Sequence, residues 1–318
     1  MGSRAEHGLT AIVHSDLPLI PKHERASPTH NGGKVWTGGI NDASKGVIVM
    51  TKTVMFVHGA WLTPTAWDGW RAHFEAAGYR TVAPSWPHMD RPIAALRRSP
   101  DPALAKLNVI DIVDHYAAEI AKLDEPPIII GHSFGGLITL MLLDRGLGVA
   151  GVALDPAPPR GVIPGLRSIL SAMPVLTSWN GWNRVLTMSR KGFAITFANT
   201  LPADVVDTAY NAYVVPAPGR PYFQASLGIG NGVSFEALAH PLLLIAGMKD
   251  KTADPAMIKR IWRAYDKQNA PAEFATYPNR SHFLFAEAGW EEIADDVLAW
   301  LTKKGVAPAP QPSLIAAE

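Results

Sequence analysis

The chain has 318 residues, of which 47% are hydrophobic and 18% are charged, and its 29 Lys and Arg nearly balance its 28 Asp and Glu. This hydrophobic share is enough for a sizeable core and excludes a chain that is disordered throughout. A net charge of +1 provides no field for binding nucleic acid or an anionic membrane. The absence of cysteine excludes disulfides, thiolate nucleophiles and zinc–thiolate sites.

The start of the chain differs in character from the rest of the sequence. Residues 1–49 contain Pro, Gly, Asn and Ser in no periodic order, which predicts an extended arm or a disordered leader. No apolar run in the chain approaches the ~20 residues of a membrane-spanning helix. The first twenty residues also lack the apolar core of a secretory signal, so we expect a cytoplasmic protein.

After this leader, short apolar runs alternate with amphipathic stretches. The predicted strands are residues 53–57, 79–83, 126–130, 149–155, 241–247 and 273–278. The predicted helices are residues 66–78, 109–123, 137–146, 255–268 and 288–303. Strands that are apolar along their whole length are typical of a parallel sheet covered on both faces. We therefore predict an α/β fold with a doubly wound, mostly parallel sheet.

One region interrupts this alternation. A crossover between neighbouring parallel strands needs about a dozen residues, yet all of residues 157–237 lie between the fourth and fifth predicted strands. We predict that residues 157–237 form an inserted helical cap on a core made of residues 50–156 and 238–305. The Pro- and Ala-rich residues 306–318 predict a solvated C-terminal tail.

The strongest local motif is G-x-S-x-G at residues 131–135, which follows an apolar strand and opens into a helix. This strand–turn–helix setting is typical of a nucleophile elbow, in which flanking glycines let the chain turn without a Cβ clash. Such a turn exposes the hydroxyl of Ser133 above the sheet, at the positive end of the following helix. The alternative interpretation is an ordinary tight turn with a solvent-facing serine.

A serine nucleophile needs a base to take its proton and a carboxylate to orient that base. Among eleven histidines, His282 follows the last predicted strand in a loop, which predicts a position at the carboxyl edge of the sheet. Asp250 comes shortly after the fifth predicted strand, and the order Ser133, Asp250, His282 suits this architecture. Asp155 and Asp254 stay open as alternative acids, although Asp254 also fits a helix N-cap.

Acyl transfer also needs N–H donors for the oxyanion of the tetrahedral intermediate. The backbone N–H of Phe134, which follows the nucleophile, is one candidate. The loop after the first strand supplies the second, and Ala60 is the preferred residue within it. We predict pocket roles for Trp61, next to Ala60, and for His132, next to Ser133. Filling of the core is the alternative for any single tryptophan.

From about residue 52 to 303, the sequence resembles enzymes of the α/β-hydrolase fold. The matching segments, in family order, are FVHGAW, GHSFGG, LLLIAGMKD and NRSHF. The HGAW form is similar to small esterases and hydroxynitrile lyases, and it lacks the HGGG oxyanion motif of one lipase branch. Dehalogenases and epoxide hydrolases of this fold carry Asp at the position of Ser133, which argues against both chemistries. The sequence DKTADP after the predicted acid departs from the family pattern and leaves the identity of the acid open.

The sequence therefore predicts a serine hydrolase that cleaves a carboxylic ester of a small to medium apolar substrate through an acyl-enzyme. No HExxH, GxGxxG or P-loop sequence occurs, so neither a metal nor a cofactor is predicted. The alternatives are amide or carbon–carbon bond hydrolysis, hydroxynitrile-lyase or perhydrolase chemistry, and a non-catalytic receptor on a hydrolase shell. The predicted partner is a small-molecule ester, with no nucleic acid and no membrane span, and a homodimer stays open.

Overall fold

The computed structural model describes residues 52–308. The predicted leader, residues 1–49, and most of the predicted tail, residues 306–318, lie outside the described residues. The strands are β1 (Thr53–Val57), β2 (Arg80–Val82), β3 (Ile128–His132), β4 (Ala150–Leu154), β5 (Val185–Leu186), β6 (Ala217–Pro218), β7 (Leu242–Gly247) and β8 (Ala272–Tyr277).

The helices flank these strands in chain order. They are α1 (Asp68–Ala76), α2 (Ile93–Arg98), α3 (Val109–Ile120), α4 (Phe134–Asp144), α5 (Leu166–Leu176), α6 (Arg190–Gly192), α7 (Ala203–Tyr213), α8 (Arg220–Leu227), α9 (Pro255–Asp266) and α10 (Glu291–Lys303). Short 3₁₀ turns cover Pro64–Trp67, Pro102–Lys106 and Gly181–Asn183, and a π-helical turn covers Phe193–Phe197.

Six strands form one parallel sheet in the order β2-β1-β3-β4-β7-β8, while β5 and β6 pair in a separate antiparallel ladder. The central strands β1, β3, β4 and β7 are buried along their whole length, and the edge strands β2 and β8 are partly exposed. The predicted doubly wound α/β sheet is therefore confirmed. Strand order reverses between β1 and β3, and the crevice beyond the carboxyl ends at such a reversal is where ligands bind in open α/β sheets.

The predicted elements of the sheet and its covering helices are all observed, with ends that differ by a few residues. Helix α4 begins at Phe134, three residues before the predicted start at 137, so it follows the turn at Ser133 directly. Helix α2 was not predicted, because its six residues are too few to show a helical apolar repeat.

The segment between β4 and β7 contains the four helices α5 to α8 and the short β5–β6 ladder. Backbone and side-chain hydrogen bonds attach it to loops of the sheet. The N–H of Val215 donates to the carbonyl of Trp61 at 2.9 Å, and the N–H of Val109 donates to Oε1 of Gln224 at 2.9 Å. These bonds connect the segment to the loop after β1 and to the start of α3, on the side where the parallel strands end.

Aromatic side chains connect β1 and α1 to the loop before α10. The ring of Phe56 lies 5.1 Å from that of Trp67 and 6.4 Å from that of Trp70. Trp70 is buried, and its Nε1 donates to the carbonyl of Phe285 at 2.9 Å. This cluster therefore anchors the loop that contains His282. Within residues 52–308, no helix has both the length and the apolarity needed to cross a membrane.

Candidate active site

The turn between β3 and α4 holds Ser133 at φ 58° and ψ −120°, a conformation that costs a serine about 1–3 kcal/mol. The N–H of Ser133 donates to the carbonyl of Leu154 at 2.9 Å. Flanking glycines make the turn sterically feasible, because a Cβ at Gly131 would overlap the backbone of Gly135. A Cβ at Gly135 would in turn overlap the carbonyl of Val57. The backbone around Ser133 is therefore strained and tightly enclosed.

The loop after β1 lies directly against this turn. A Cβ at Gly59 would come within 2.9 Å of both the carbonyl oxygen of His132 and Cβ of Ser133. Among residues 52–308, the backbone N–H groups of Ala60 and Phe134 donate no hydrogen bond. Two unused N–H donors therefore belong to Phe134, the residue after Ser133, and to Ala60, in the loop that touches Ser133.

His282 and Asp250 form a buried pair at the carboxyl edge of the sheet. Nδ1 of His282 lies 2.7 Å from Oδ2 of Asp250, and both side chains are fully buried. Oδ1 of Asp250 accepts hydrogen bonds from the N–H groups of Thr252 at 2.6 Å and Ala253 at 2.8 Å. Because a carboxylate only accepts, Nδ1 of His282 donates, and Nε2 is the basic nitrogen. Nε2 has no hydrogen-bond partner among the described residues.

Glu287 supports the loop of His282, a role that no sequence pattern indicated. Its carboxylate accepts hydrogen bonds from the N–H of Ser281 at 3.0 Å, from the Ser281 hydroxyl, and from Oγ1 of Thr200 at 2.6 Å. Arg280 lies 3.8 Å from the same carboxylate. The residue follows His282 by five positions, and no local motif distinguishes it from other acidic residues near a helix start.

His132 also contacts the loop that contains His282. Its Nε2 donates to the carbonyl of His282 at 2.8 Å, and its ring lies 4.5 Å from that of His282 and 4.6 Å from that of Phe285. Burial, with His282 next to it, holds the pKa of His132 well below its ordinary value, so the ring is neutral. The sequence predicts a pocket role for His132, but the side chain is fully buried and is not among those that line the cavity.

Trp61, the other residue predicted to line the pocket, packs behind the cavity. Its side chain is only 4% exposed, and its ring lies 4.8 Å from that of Tyr222. Tyr222 itself lines the cavity next to Phe134. Trp61 therefore supports a cavity wall from behind and does not form the wall itself.

A cavity of about 240 Å³ lies over Ser133, between the sheet and helices α5 and α8. None of its lining side chains is charged, and every polar side chain among them carries a hydroxyl group. Its lining residues are Ser133, Phe134, Ala157, Pro158, Pro164, Ser168, Ile169, Ser171, Ala172, Leu176, Tyr222, Ala225, Ser226, Thr252, Ala253 and Met257. Such a lining suits a neutral and largely apolar ligand.

The sequence matches a known protein family over most of its length. A sequence model of a protein family, described as the alpha/beta hydrolase family, matches residues 54–296. The chain belongs to the alpha/beta hydrolase family. No curated protein matches this hydrolase.

Solved structures share the fold of this hydrolase at low sequence identity. Polyneuridine aldehyde esterase has 16% identity and a TM-score of 0.56, over 78% of this chain and 99% of that one. The monoacylglycerol lipase of Paleococcus ferrophilus has 19% identity and a TM-score of 0.59, over 80% and 96%. The pyrethroid hydrolase PytH has 17% identity and a TM-score of 0.60, over 80% and 99%. At these identities the likeness concerns the fold alone.

The two alternative acids of this hydrolase lie in different environments. Oδ1 of Asp254 accepts a hydrogen bond from the N–H of Ala256 at 2.9 Å and caps the start of α9. Asp155 is fully buried, and its Oδ1 accepts from the N–H of Gly247 at 2.9 Å. Of the three candidate acids, Asp250 is the one whose carboxylate accepts a hydrogen bond from His282.

One group of side chains in the described part of the hydrolase offers atoms that could converge on a cation. His132, Asp155 and His282 each provide one ligand atom, and these atoms lie within 4.8 Å of one another. Ligand atoms around a tetrahedral zinc are ~3.3 Å apart, given Zn–N distances of ~2.0 Å. A cation bound here would occupy a ring nitrogen of His282.

Proposed function

We propose that this protein is a cofactor-independent serine hydrolase that cleaves carboxylic esters of small to medium apolar substrates. The observation that carries the proposal is the buried hydrogen bond that Nδ1 of His282 donates to Asp250, beside the strained turn at Ser133. This bond orients the imidazole and leaves Nε2 free to act as a base. Ser133 at the same time lines an apolar cavity that can hold a substrate.

In the proposed reaction, Oγ of Ser133 attacks the ester carbonyl carbon while its proton passes to Nε2 of His282. Asp250 stabilises the imidazolium that forms. The tetrahedral intermediate collapses, the alcohol leaves with the proton from His282, and an acyl-enzyme remains on Ser133. Water then attacks the acyl carbon with His282 again as the base, and the carboxylic acid is released.

The N–H groups of Ala60 and Phe134 are the proposed donors to the oxyanion. Both are without an acceptor in the part of the chain that the structure describes. The contact of Gly59 with Ser133 supports this pairing, because it brings the loop of Ala60 next to the nucleophile. Losing one donor of this kind typically costs about 10²–10³ in kcat.

Residues 157–237 are proposed to act as a cap on the core formed by residues 50–156 and 238–305. Helices α5 and α8 of this segment provide one wall of the cavity, and the turn at Ser133 provides the other. The uncharged lining and the volume of about 240 Å³ favour an uncharged group of modest size. Among the structural neighbours, one is named an esterase and another a lipase, which favours esters over amides.

Hydrolysis of p-nitrophenyl esters from acetate to palmitate tests this proposal, with Ser133→Ala as the decisive variant. We expect Ser133→Ala to lower kcat by at least ~10⁴-fold, since no other group can take the place of the attacking hydroxyl. Ser226→Ala is the matched control, because it removes another hydroxyl from the same cavity. Retained activity in Ser133→Ala would overturn the assignment of the nucleophile.

If wild type hydrolyses none of these esters, a fluorophosphonate probe separates two explanations. An adduct on Ser133 would mean an active nucleophile that takes another substrate, and amide and cyanohydrin substrates would then be compared. Absence of both turnover and adduct would contradict the proposed enzyme and favour a ligand receptor. The cytoplasmic location and the homodimer stay predictions from the sequence.

A further inference from the structure

Asp155 is a second buried carboxyl group next to the pair formed by Asp250 and His282. Strands β4 and β7 are hydrogen-bonded neighbours, so the residues that follow them meet at one edge of the sheet. The N–H of Asp155 donates to the carbonyl of Ile245 at 2.9 Å, and its Oδ1 accepts from the N–H of Gly247 at 2.9 Å. A carboxyl oxygen of Asp155 lies within 4.8 Å of a ring nitrogen of His282.

The second oxygen of this carboxyl group has no partner. Oδ2 of Asp155 is buried and receives no hydrogen bond from any described residue. An ionised carboxylate with an unsatisfied oxygen is costly to bury, because it loses its hydration without a replacement. Gly247 links this group to Asp250, because its N–H donates to Oδ1 of Asp155 at 2.9 Å and its carbonyl accepts from the N–H of Asp250 at 3.0 Å. A proton on one of the two neighbouring carboxyl groups would allow a hydrogen bond between them. Asp250 already accepts three hydrogen bonds, which suits the ionised form.

The charges that face Asp155 also favour its protonated form. Burial first, and then the negative charge of Asp250, raise the pKa of Asp155 well above its ordinary value, against a lowering by the Gly247 N–H. Glu287 adds a further negative charge nearby. The two imidazoles in reach are His132, which burial keeps neutral, and His282, whose Nδ1 already donates to Asp250.

We propose that Asp155 is a positioning residue that carries a proton at neutral pH and donates it in a hydrogen bond to Asp250. The inference rests on the proposed function, because it concerns the acid that orients His282. It assigns Asp155 a role other than that of the catalytic acid considered from the sequence. Asp155 acts through Asp250 and touches neither the substrate nor the reacting atoms.

The proton on Asp155 sets how much negative charge faces His282. A negative charge within ~4–6 Å favours the charged form of a cationic group. With both carboxyl groups ionised, two negative charges instead of one would lie beside His282. With Asp155 neutral, His282 faces the single charge of Asp250.

Two substitutions of Asp155 test this role through the pH dependence of ester hydrolysis. Asp155→Ala removes both hydrogen bonds, and we expect kcat to fall about tenfold or more. Asp155→Asn should restore most of that loss, because an amide is neutral, accepts from Gly247 and donates to Asp250. Asparagine also tolerates the positive φ of 44° at this position. The acid limb of kcat/KM in Asp155→Asn should coincide with that of wild type.

A downward shift of that acid limb by about one pH unit in Asp155→Asn would overturn the proposal. Such a shift would mean that the substitution removed a negative charge from His282, so that wild-type Asp155 was ionised. A kcat for Asp155→Asn as low as that of Asp155→Ala would also contradict the proposal, because the neutral donor would not have restored the site.

Infrared spectroscopy gives a readout that needs neither activity nor a folded alanine variant. Wild type at neutral pH should show the carbonyl stretch of a buried protonated carboxylic acid, and Asp155→Asn should lose it. Asp254→Asn is the control, because this carboxylate caps α9 outside the pair and its replacement should leave the band in place. A missing band in wild type would refute the inference, whereas a band with no esterase activity would count against the proposed function alone.

Discussion

Ser133 has a backbone conformation that serine rarely adopts, and several contacts hold it there. Its N–H donates to the carbonyl of Leu154, and its own carbonyl accepts from the N–H of Ala157 at 3.0 Å. Leu154 is the last residue of β4, and Ala157 lies in the loop after it. The strain is therefore sustained by neighbouring parts of the sheet, and it keeps the side chain of Ser133 at the surface of the cavity.

The tight approach of Gly59 to Ser133 leads to a prediction about activity. A methyl group at position 59 would meet the carbonyl oxygen of His132 and Cβ of Ser133 at 2.9 Å, closer than real Cβ contacts. We expect Gly59→Ala to displace the loop of Ala60 and to lower kcat by about 10²-fold, the size of losing an oxyanion donor. Ester hydrolysis at saturating substrate measures this loss.

Gly146→Ala is the matched control for that substitution. Gly146 has φ +70° and no atom within 4 Å of an added Cβ, so the substitution strains the backbone without a collision. We expect a loss of about 1 kcal/mol in the free energy of unfolding, because alanine disfavours positive φ, and an unchanged kcat. Equal kcat values for Gly59→Ala and wild type would contradict the role of the loop next to Ser133.

Individual site residues were predictable from the sequence where a local motif or the chain order marks them. Ser133 lies in G-x-S-x-G, and the chain order placed Asp250 and His282 in consecutive loops of the predicted sheet. The supporting roles of Glu287 and His132 were not predictable, because tertiary contacts and not sequence spacing decide their hydrogen-bond partners. His132 is 150 positions from the carbonyl to which it donates.

Helix α4 illustrates how packing overrides a local preference. Its first turn contains Gly135 and Gly136, and glycine costs a helix interior about 1 kcal/mol relative to alanine. A Cβ at Gly135 would overlap the carbonyl of Val57, and a Cβ at Gly136 would lie 2.9 Å from Cβ of Pro156. The close approach of α4 to the sheet therefore requires these glycines. The prediction began the helix three residues late because both glycines look like part of a turn.

Helix α5 is apolar on two faces, and only one of them lines the cavity. Ser168, Ala172 and Leu176 line the cavity. Leu166 is 70% exposed and Leu170 is 62% exposed on the other side of the helix. Hydrophobic periodicity locates the apolar residues of such a helix but does not tell which of two apolar faces lines a cavity.

The cavity face of α5 leads to a prediction about substrate size. We expect Ala172→Phe to reduce the cavity and to lower kcat/KM for long p-nitrophenyl esters by about tenfold or more relative to acetate, since each excluded methylene forfeits about 0.8 kcal/mol of burial. Leu170→Phe is the matched control, because it adds an aromatic ring to the exposed face of the same helix. An equal loss on acetate and on long esters would contradict a wall role for Ala172.

At the scale of the whole molecule, buried histidines determine how stability responds to acid. Nδ1 of His58 donates to the carbonyl of Gly59 at 2.9 Å, and its Nε2 accepts from the N–H of Trp86 at 3.1 Å. A proton added to Nε2 would face this N–H, and the ring is almost fully buried. Burial therefore lowers the pKa of His58 to about 4. Burial shifts the pKa of His132 in the same direction.

We therefore expect the free energy of unfolding to fall as the pH falls from about 6.5 to about 4. In this window the unfolded chain binds a proton at His58 and the folded protein does not, so acid favours unfolding. The contribution of His58 is about 3 kcal/mol, from a shift of about 2.5 units at 1.36 kcal/mol each. Urea denaturation across this pH range measures the slope. His58→Gln cannot titrate, and a slope as steep as in wild type would contradict the prediction.

The sequence by itself determined the alternation of strands and helices, the parallel sheet and the turn at Ser133. These features are written in local patterns, namely apolar runs, helical periodicity and the spacing of glycines, so no distant contact is needed to recognise them. For residues 157–237 the sequence predicted a helical insertion without the bounds of its helices, and the cavity that α5 and α8 form with the sheet does not follow from local pattern.

Only the tertiary structure decided which carboxyl group accepts the hydrogen bond from His282 and which one lies behind it. Asp155, Asp250 and Asp254 all follow or lie near strand ends, and the sequence left them open as acids. The pairing of β4 with β7 brings Asp155 and Gly247 together across 92 positions. The loop after β7 places Asp250 within hydrogen-bond distance of His282. Such a choice depends on distances of a few Å between segments far apart in the chain, because hydrogen bonding and charge act over that range.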